Sequence, residues 1–145
     1  MKLYLENIES VNIIDSYGNG FITVNKEKYI GSIFFGKKGN VRNWEINKHI
    51  DITSEKIMLL LNSFCNDVDK QKKVEINHNE YLPEFLLIGT GNSYEIIDND
   101  VLLPLYKMGI SVEIMNTRSA IYTYNMSILN NRDVIFAAIP MRDNI

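Results

Sequence analysis

Polar side chains follow two predicted strands near the end of the chain. The Gly89-Thr90-Gly91 loop comes directly after an apolar run, and the polar segment 117–125 comes directly after another. Since open α/β sheets bind ligands outside the carboxyl ends of their strands, we predict a candidate ligand-binding cleft at this edge. Its residues are Gly89, Thr90, Gly91, Thr117, Arg118, Thr123, Tyr124 and Asn125.

The glycine loop has two interpretations. Glycines after a buried strand let backbone amides approach a phosphate. However, Asn92 and its neighbours supply no third glycine at dinucleotide-fingerprint spacing and no phosphate-binding lysine, and Asp98 and Asp100 would repel an anion. The pattern therefore favours a tight strand-to-helix connection over a nucleotide site.

The segment after Met115 violates the usual preferences of a helix. Thr117 is predicted as the N-cap, which places the Arg118 cation in the first turn, against the helix dipole. Thr123 and Asn125 fall inside the predicted helix, although short polar side chains are poor helix formers. Such violations indicate either a functional site or a buried polar network that joins this helix to the N-terminal strands. The sequence leaves both interpretations open.

Other catalytic or metal-binding patterns are weak. His49 and His78 lie in different predicted loops without a second ligand at metal spacing. No local context suggests a Ser-His-Asp or Cys-His arrangement, and the acids are scattered rather than paired. We predict no metal and no cofactor, and we assign no catalytic residue. The sequence favours a non-catalytic protein over an enzyme.

Composition restricts the class of protein. The 145 residues are 46% apolar and 23% charged, which suits one folded domain covering residues 1–145. The formal net charge of −3 argues against a nucleic-acid partner, which requires a basic face. The basic clusters Lys37-Lys38 and Lys70–Lys73 lie in polar stretches predicted as loops. A single cysteine, Cys65, excludes an internal disulfide and favours a reducing compartment.

No targeting or membrane segment is recognised in the sequence. The apolar run Leu3-Tyr4-Leu5 is too short for a secretory signal, and no run approaches the roughly 20 residues that span a bilayer. We therefore expect a cytoplasmic protein without stable membrane insertion.

The chain divides into two portions of different pattern. Residues 11–46 alternate with a period near two and contain turn signals at 17–20, 25–26 and 36–40, so they predict an antiparallel β meander. Strands are predicted before and after each turn, among them one continuous strand over Tyr29–Phe35.

Residues 53–139 predict an α/β portion. Thr53 or Ser54 caps a helix whose core stripe is Ile57, Leu60, Leu61 and Phe64. Continuous apolar runs at 85–88, 111–115 and 134–139 predict strands buried on both faces. Helical patterns at 101–108, ended by Gly109, and at 118–130 complete a β-α-β-α-β unit. The predicted fold class is α/β, with a mixed sheet that the meander either packs against or extends and with helices covering the faces.

The chain resembles a family of domains of unknown function that includes mitochondrial NADH dehydrogenase (complex I) assembly factor 3 and an adipogenesis-associated domain protein. The residues that carry the resemblance are Tyr17-Gly18, Phe21, Tyr29-Ile30-Gly31-Ser32, Trp44, Leu87 to Gly91, Gly109 to Glu113, Met115-Asn116-Thr117, Ala120, Thr123-Tyr124-Asn125, Arg132 and Ala137-Ala138. The chain is identified as a bacterial-type member. It departs from the family at Asn116, where many bacterial members have an Asp, and in the segment Lys70–Asn79, which is longer than in typical relatives.

The resemblance implies a three-layer fold and no established enzymatic activity. It implies a role in complex I assembly through contacts with respiratory complex I subunits or assembly proteins. A bacterial member is expected to act in the cytoplasm, at the periphery of the inner membrane. Two hypotheses follow. The first is a non-catalytic protein-binding module of the assembly-factor type. The second is a small-ligand- or anion-binding protein, or a cryptic enzyme, that uses the strand-end cleft.

Overall fold

Two β-sheets and three α-helices make up the part of the chain that the computed structural model describes, residues 11–72 and 82–143. The strands are β1 Ile14–Gly18, β2 Phe21–Val24, β3 Glu27–Ile30, β4 Ile33–Phe35, β5 Arg42–Asn43, β6 Phe85–Thr90, β7 Ser111–Met115 and β8 Val134–Ile139. The α-helices are α1 Ser54–Lys72, α2 Asn99–Lys107 and α3 Thr117–Leu129, and a short 3-10 helix covers His49–Asp51.

Tight turns build the three-stranded antiparallel sheet in the order β1-β2-β3. Asn25 and Lys26 both have positive φ, 52° and 69°, and they connect β2 to β3 as a two-residue hairpin in which Val24 faces Glu27. Positive φ at both central residues is the type I′ geometry, whose twist matches that of the flanking strands. The predicted turn at 25–26 is therefore confirmed.

The predicted continuous strand over Tyr29–Phe35 is wrong, because Gly31 interrupts it. Gly31 has a φ of +89°, a conformation that L side chains rarely adopt. The chain bends there, so that Ile30 ends β3 in the first sheet while Ile33 begins β4 in the second. One predicted strand is thus divided between two sheets.

The second sheet has five strands in the order β5-β4-β8-β6-β7. β6 lies between β7 and β8 and is parallel to both, whereas β4 is antiparallel to β8 and to β5. The predicted mixed sheet is confirmed. Both arrangements of the meander also occur, since β1–β3 form a separate sheet while β4 and β5 extend the parallel strands.

Apolar side chains cover both faces of the five-stranded sheet. On one face, α1 and α2 contribute core residues such as Ile57, Leu60 and Leu105. On the other face, α3 and the three-stranded sheet contribute Tyr124 and Ile22, among others. The protein therefore has three layers, as the resemblance implies, and α3 shares its layer with β1–β3.

Two local predictions need correction. The run Ser111–Met115 is the edge strand β7, and it is not buried on both faces. Ser111 and Glu113 are exposed, whereas Val112 and Ile114 pack against the core on the other face. The predicted loop Lys70–Asn79 is helical at its start, since α1 continues through Lys72; residues 73–79 lie outside the described residues.

The start of α1 and both ends of α2 and α3 agree with the sequence to within about two residues. The Thr53 hydroxyl accepts a hydrogen bond from the Lys56 amide at 3.2 Å, so Thr53 caps α1, and Gly109 ends the α2 region with a φ of +82°. Within residues 11–72 and 82–143, no helix has the length and apolar character needed to cross a bilayer.

Candidate functional site

The connections that follow β6 and β7 leave the sheet on opposite faces. The connection after β6 leads to α2, which packs in the core on one face, and the one after β7 leads to α3, which packs in the core on the other. Where neighbouring parallel strands diverge in this way, the fold offers a crevice at their carboxyl ends. Gly89 and Thr90 are the last two residues of β6, so the predicted Gly89-Thr90-Gly91 loop begins as strand and leaves the sheet at Gly91. This glycine loop and Thr117 lie at the crevice.

Thr117 closes the crevice. Its side chain is fully buried, and its Oγ1 accepts a hydrogen bond from the Gly91 amide at 2.8 Å and donates one to the Ile139 carbonyl at 2.6 Å. The Thr117 amide in turn donates to the Gly91 carbonyl at 2.9 Å. At this position the glycine loop and the start of α3 are bonded directly to each other.

Gly89 is required by the same contact. A Cβ at Gly89 would lie 2.8 Å from the Thr117 Oγ1 and 3.0 Å from the Ala138 Cβ. Gly89 therefore permits close packing of β6 against α3 and β8, because Thr117 and Ala138 occupy the space that a side chain would need.

The rest of the glycine loop is also bonded internally. The Thr90 hydroxyl lies 2.7 Å from the Ser93 carbonyl and 3.2 Å from the Met115 carbonyl, and it accepts a hydrogen bond from the Glu95 amide at 3.2 Å. Gly91 has a φ of +100°, which a residue with a side chain rarely adopts. These contacts agree with a tight strand-to-helix connection.

Tyr124 joins α3 to the start of the described chain. Its side chain is fully buried, and its hydroxyl donates a hydrogen bond to the Asn12 carbonyl at 2.8 Å. The ring meets Phe35 and Phe136 edge-on, with centroids 5.2 Å and 5.5 Å away. Burial raises the pKa of the Tyr124 phenol, so the residue is a neutral core side chain rather than an acid-base group.

Asn125 satisfies the outer edge of β1. Its Nδ2 donates to the Ile14 carbonyl at 2.9 Å, and its Oδ1 accepts from the Ile14 amide at 3.1 Å. The side-chain amide therefore replaces a neighbouring strand at this residue. Thr123 makes a weaker contact, in which its hydroxyl lies 3.4 Å from the Met115 sulfur. These contacts agree with the buried polar network that the sequence left as one interpretation of this segment.

Arg118 differs from the other predicted residues because it faces solvent. Asn116, and not Thr117 as predicted, is the N-cap of α3, since its side chain accepts a hydrogen bond from the Ser119 amide at 2.8 Å. Arg118 therefore lies in the first turn of α3, where the helix dipole disfavours a cation. Within the described part of the chain, no hydrogen bond or ion pair engages the Arg118 guanidinium.

A cavity of about 360 Å³ lies between β1 and α3. We call it the α3–β1 groove, and it is lined by Ile14, Asp15, Ser16, Tyr17, Arg118, Ile121, Tyr122, Asn125 and Met126. Since β1 is an edge strand of its sheet, the groove separates a strand edge from a helix.

An exposed apolar stripe runs along α3 beside the groove. The α3 stripe consists of Tyr122, Met126 and Leu129, whose exposed fractions are 68%, 41% and 68%. Their spacing of four and three residues places them on one side of the helix, and Arg118 precedes Tyr122 by the same four residues. Sequence reasoning missed this stripe, although the 118-122-126-129 spacing was a signal that could have found it.

A second cavity, of about 220 Å³, lies beside the glycine loop. Thr90, Gly91 and Asn92 line it together with residues 47–50, 139–140 and Arg142. His49 belongs to this lining, and its Nε2 lies 3.8 Å from the Glu95 carboxylate.

The predicted cleft residues thus lie in different places. Gly89, Gly91 and Thr117 are brought together, whereas Arg118 and Asn125 line the α3–β1 groove and Tyr124 is in the core. Among the residues that the structure describes, no group of three or more His, Cys, Asp or Glu side chains could hold a metal ion. His78 lies outside the described residues.

Comparison with known proteins relates residues 14–139 to a family model described as protein of unknown function (DUF498/DUF598). The chain is 30% identical over 127 residues to NADH dehydrogenase (ubiquinone) 1 alpha subcomplex assembly factor 3 of Rattus norvegicus, a match that covers 88% of this chain and 60% of that protein. It therefore spans about 60% of the length of the curated assembly factors it matches.

Bacterial proteins match over nearly their whole length. The 13 kDa major membrane protein of Francisella tularensis is 25% identical over 121 residues, covering 78% of this chain and 95% of that protein. A crystal structure of a Bordetella parapertussis protein superimposes with a TM-score of 0.71 at 29% identity, covering 90% of this chain and 97% of the other. The resemblance stated from the sequence is confirmed.

Proposed function

Because the chain belongs to the DUF498/DUF598 family of proteins of unknown function, some of whose relatives are named complex I assembly factors, we propose that it is a non-catalytic protein-binding module of the assembly-factor type. Its partners are subunits or assembly proteins of respiratory NADH dehydrogenase. The protein acts at the cytoplasmic side of the inner membrane, where it reaches those partners by protein contacts.

The observation that carries this proposal is the difference between the buried side and the outer side of α3. The buried side of the helix uses the polar residues of the family resemblance for internal hydrogen bonds, as Thr117, Tyr124 and Asn125 do. Its outer side carries the α3 stripe, in which Tyr122 and Leu129 are each 68% exposed. Exposed apolar residues grouped beside a groove are typical of a protein-interaction surface.

The test is affinity capture of the tagged full chain from the cells that encode it, followed by mass spectrometry. We expect NADH dehydrogenase subunits or assembly proteins above the level captured by the tag alone. The Tyr122→Ala/Met126→Ala variant should lose them. Recovery of none of these proteins by the unaltered chain would overturn the proposal.

A matched control comes from α2. Leu103 and Tyr106 are exposed by 46% and 48%, so Leu103→Ala/Tyr106→Ala removes a similar amount of exposed apolar surface elsewhere. This variant should capture the same proteins as the unaltered chain. Equal loss by both double variants would contradict the assignment of the binding surface to α3.

A second candidate function, binding of a small anion, is supported by Arg118. The guanidinium lines the α3–β1 groove without an acidic partner among the described residues, and a lone guanidinium suits a carboxylate or a phosphate. Calorimetry with inorganic phosphate and with succinate tests it. Binding that Arg118→Ala abolishes would favour this function, and heats that are equal for the two proteins would eliminate it.

A further inference from the structure

We propose that the α3–β1 groove and the α3 stripe together form the docking site for an amphipathic helix of the partner. One apolar side chain of that helix enters the groove, and a single carboxylate close to it pairs with Arg118. This inference rests on the proposed protein-binding function and specifies the chemistry of the partner segment.

The shape of the surface favours a helix. Arg118, Tyr122, Met126 and Leu129 follow one another at intervals of four, four and three residues, which produces a nearly straight ridge about 16 Å long at 1.5 Å per residue. A ridge of this kind packs into the groove between the side-chain rows of a second helix. Three turns of a partner helix, with apolar anchors about four residues apart, would cover its length.

The charges of the groove favour one carboxylate on that helix. The two charged residues in its lining are Asp15 and Arg118. The Asp15 carboxylate already accepts a hydrogen bond from the Lys26 amide, whereas no described residue pairs with Arg118. Arg118 is therefore the charged side chain of the lining that has no described partner, and a carboxylate of the docked helix can supply one.

The net charge of the whole chain further restricts the charge of the partner segment. With a formal net charge of −3, the protein would repel a strongly acidic segment at long range, while one local cation remains attractive to a single acid. An amphipathic helix whose docking face is apolar and carries one acidic residue satisfies both conditions. An extended acidic peptide does not.

The groove is preformed. Asn125 makes two hydrogen bonds to the Ile14 backbone, and the Tyr124 hydroxyl bonds to the Asn12 carbonyl, so the strand and the helix that form its walls are joined at its base. A rigid surface loses little conformational entropy when a partner binds. Docking therefore requires no opening of the core.

The experiment selects binders from a phage-displayed library of random 16-residue peptides on the full-length protein. We expect enriched sequences with one Asp or Glu and apolar residues at helical spacing. Arg118→Glu should weaken the synthetic peptides by about tenfold or more, and replacing the peptide acid with Lys should restore binding to that variant. Lys107→Glu on α2, with the same change in net charge, should leave binding unchanged.

Four outcomes would overturn the inference. The first is the absence of any enriched sequence, and the second is enrichment of acid-rich sequences without helical spacing. The third is a peptide affinity of Arg118→Glu equal to that of the unaltered protein. The fourth is a dimer in sedimentation that Tyr122→Ala dissociates, because a second copy of the chain would then be the occupant. Affinity capture separates this result from the proposed function. If Arg118→Glu still captures complex I proteins, the proposed function stands and this inference fails, whereas peptide binding without such capture leaves the site intact and removes the proposed function.

Discussion

Replacement of Thr117 by valine tests whether the hydrogen bonds of the Thr117 hydroxyl hold the strand-end crevice closed. Valine has nearly the shape of threonine, so the buried volume is kept while the hydroxyl is lost. The Gly91 amide then loses its acceptor at 2.8 Å, and the Ile139 carbonyl loses a donor at 2.6 Å. A buried polar group left unpaired costs about 1–3 kcal/mol, and loss of one donor to the Ile139 carbonyl adds about 1 kcal/mol.

The expected loss in the free energy of unfolding is therefore about 2–4 kcal/mol. For a chain of this length each kcal/mol lowers the melting temperature by about 2–4 °C, so we expect a decrease of roughly 5–15 °C. Urea titration followed by circular dichroism measures the free energy, and a thermal scan measures the melting temperature.

Thr123→Val is the matched control. The one hydrogen bond of the Thr123 hydroxyl among the described residues is to the Met115 sulfur, at 3.4 Å, and Thr123 is half-buried. A sulfur acceptor is weak, so the control should lose less than about 1 kcal/mol. If Thr117→Val unfolds at the same urea concentration as Thr123→Val, the two hydrogen bonds of Thr117 do not hold the crevice closed and the reasoning is refuted.

Three further substitutions test neighbouring contacts. Gly89→Ala should lower the free energy of unfolding by about 1–3 kcal/mol, because its Cβ would lie 2.8 Å from the Thr117 Oγ1 and 3.1 Å from the Thr117 Cα; an unchanged urea midpoint would contradict this. Tyr124→Phe should cost about 1–3 kcal/mol at pH 7 by leaving the Asn12 carbonyl without this donor. Since burial raises the pKa of Tyr124, the unaltered protein should lose stability above the unfolded-state pKa near 10. The difference in the free energy of unfolding between the two proteins should therefore shrink above that pH, and a constant difference would count against the prediction. Burial also raises the pKa of Asp133, so ionisation of this carboxyl above a pKa of about 4 disfavours the folded state. Asp133→Asn should therefore raise the melting temperature at pH 7 and leave it unchanged at pH 3, and a lower melting temperature at pH 7 would contradict the assigned cause.

Periodic apolar patterns explain why much of the fold was predictable. Ile57, Leu60 and Leu61 recur at helical spacing, and all three are buried on one side of α1. The continuous apolar runs at 85–88 and 134–139 likewise become the central strands β6 and β8. Such patterns report a local periodicity, which the fold preserves.

Sheet membership was less predictable. Tyr29–Phe35 is rich in β-branched and aromatic residues, as one strand would be, but the positive φ of Gly31 sends its two halves to different sheets. The apolar composition of Ser111–Met115 likewise does not reveal that β7 has a partner on only one side. Pairing depends on contacts between segments that are distant along the chain, and a local pattern does not contain them.

The residues of the candidate cleft show what each level of information decided. By itself, the sequence determined the family, the order of the elements and the unusual polar residues at the start of α3. Only the tertiary structure decided how those residues are used, because hydrogen-bond partners such as Asn12 and Ile14 lie more than 100 residues earlier in the chain. The bonds to Asn12 and Ile14 join α3 to the N-terminal strands, and the bonds of Thr117 to Gly91 and Ile139 close the strand-end crevice. Arg118 is left on the outer surface beside a groove that exists only because α3 packs against β1.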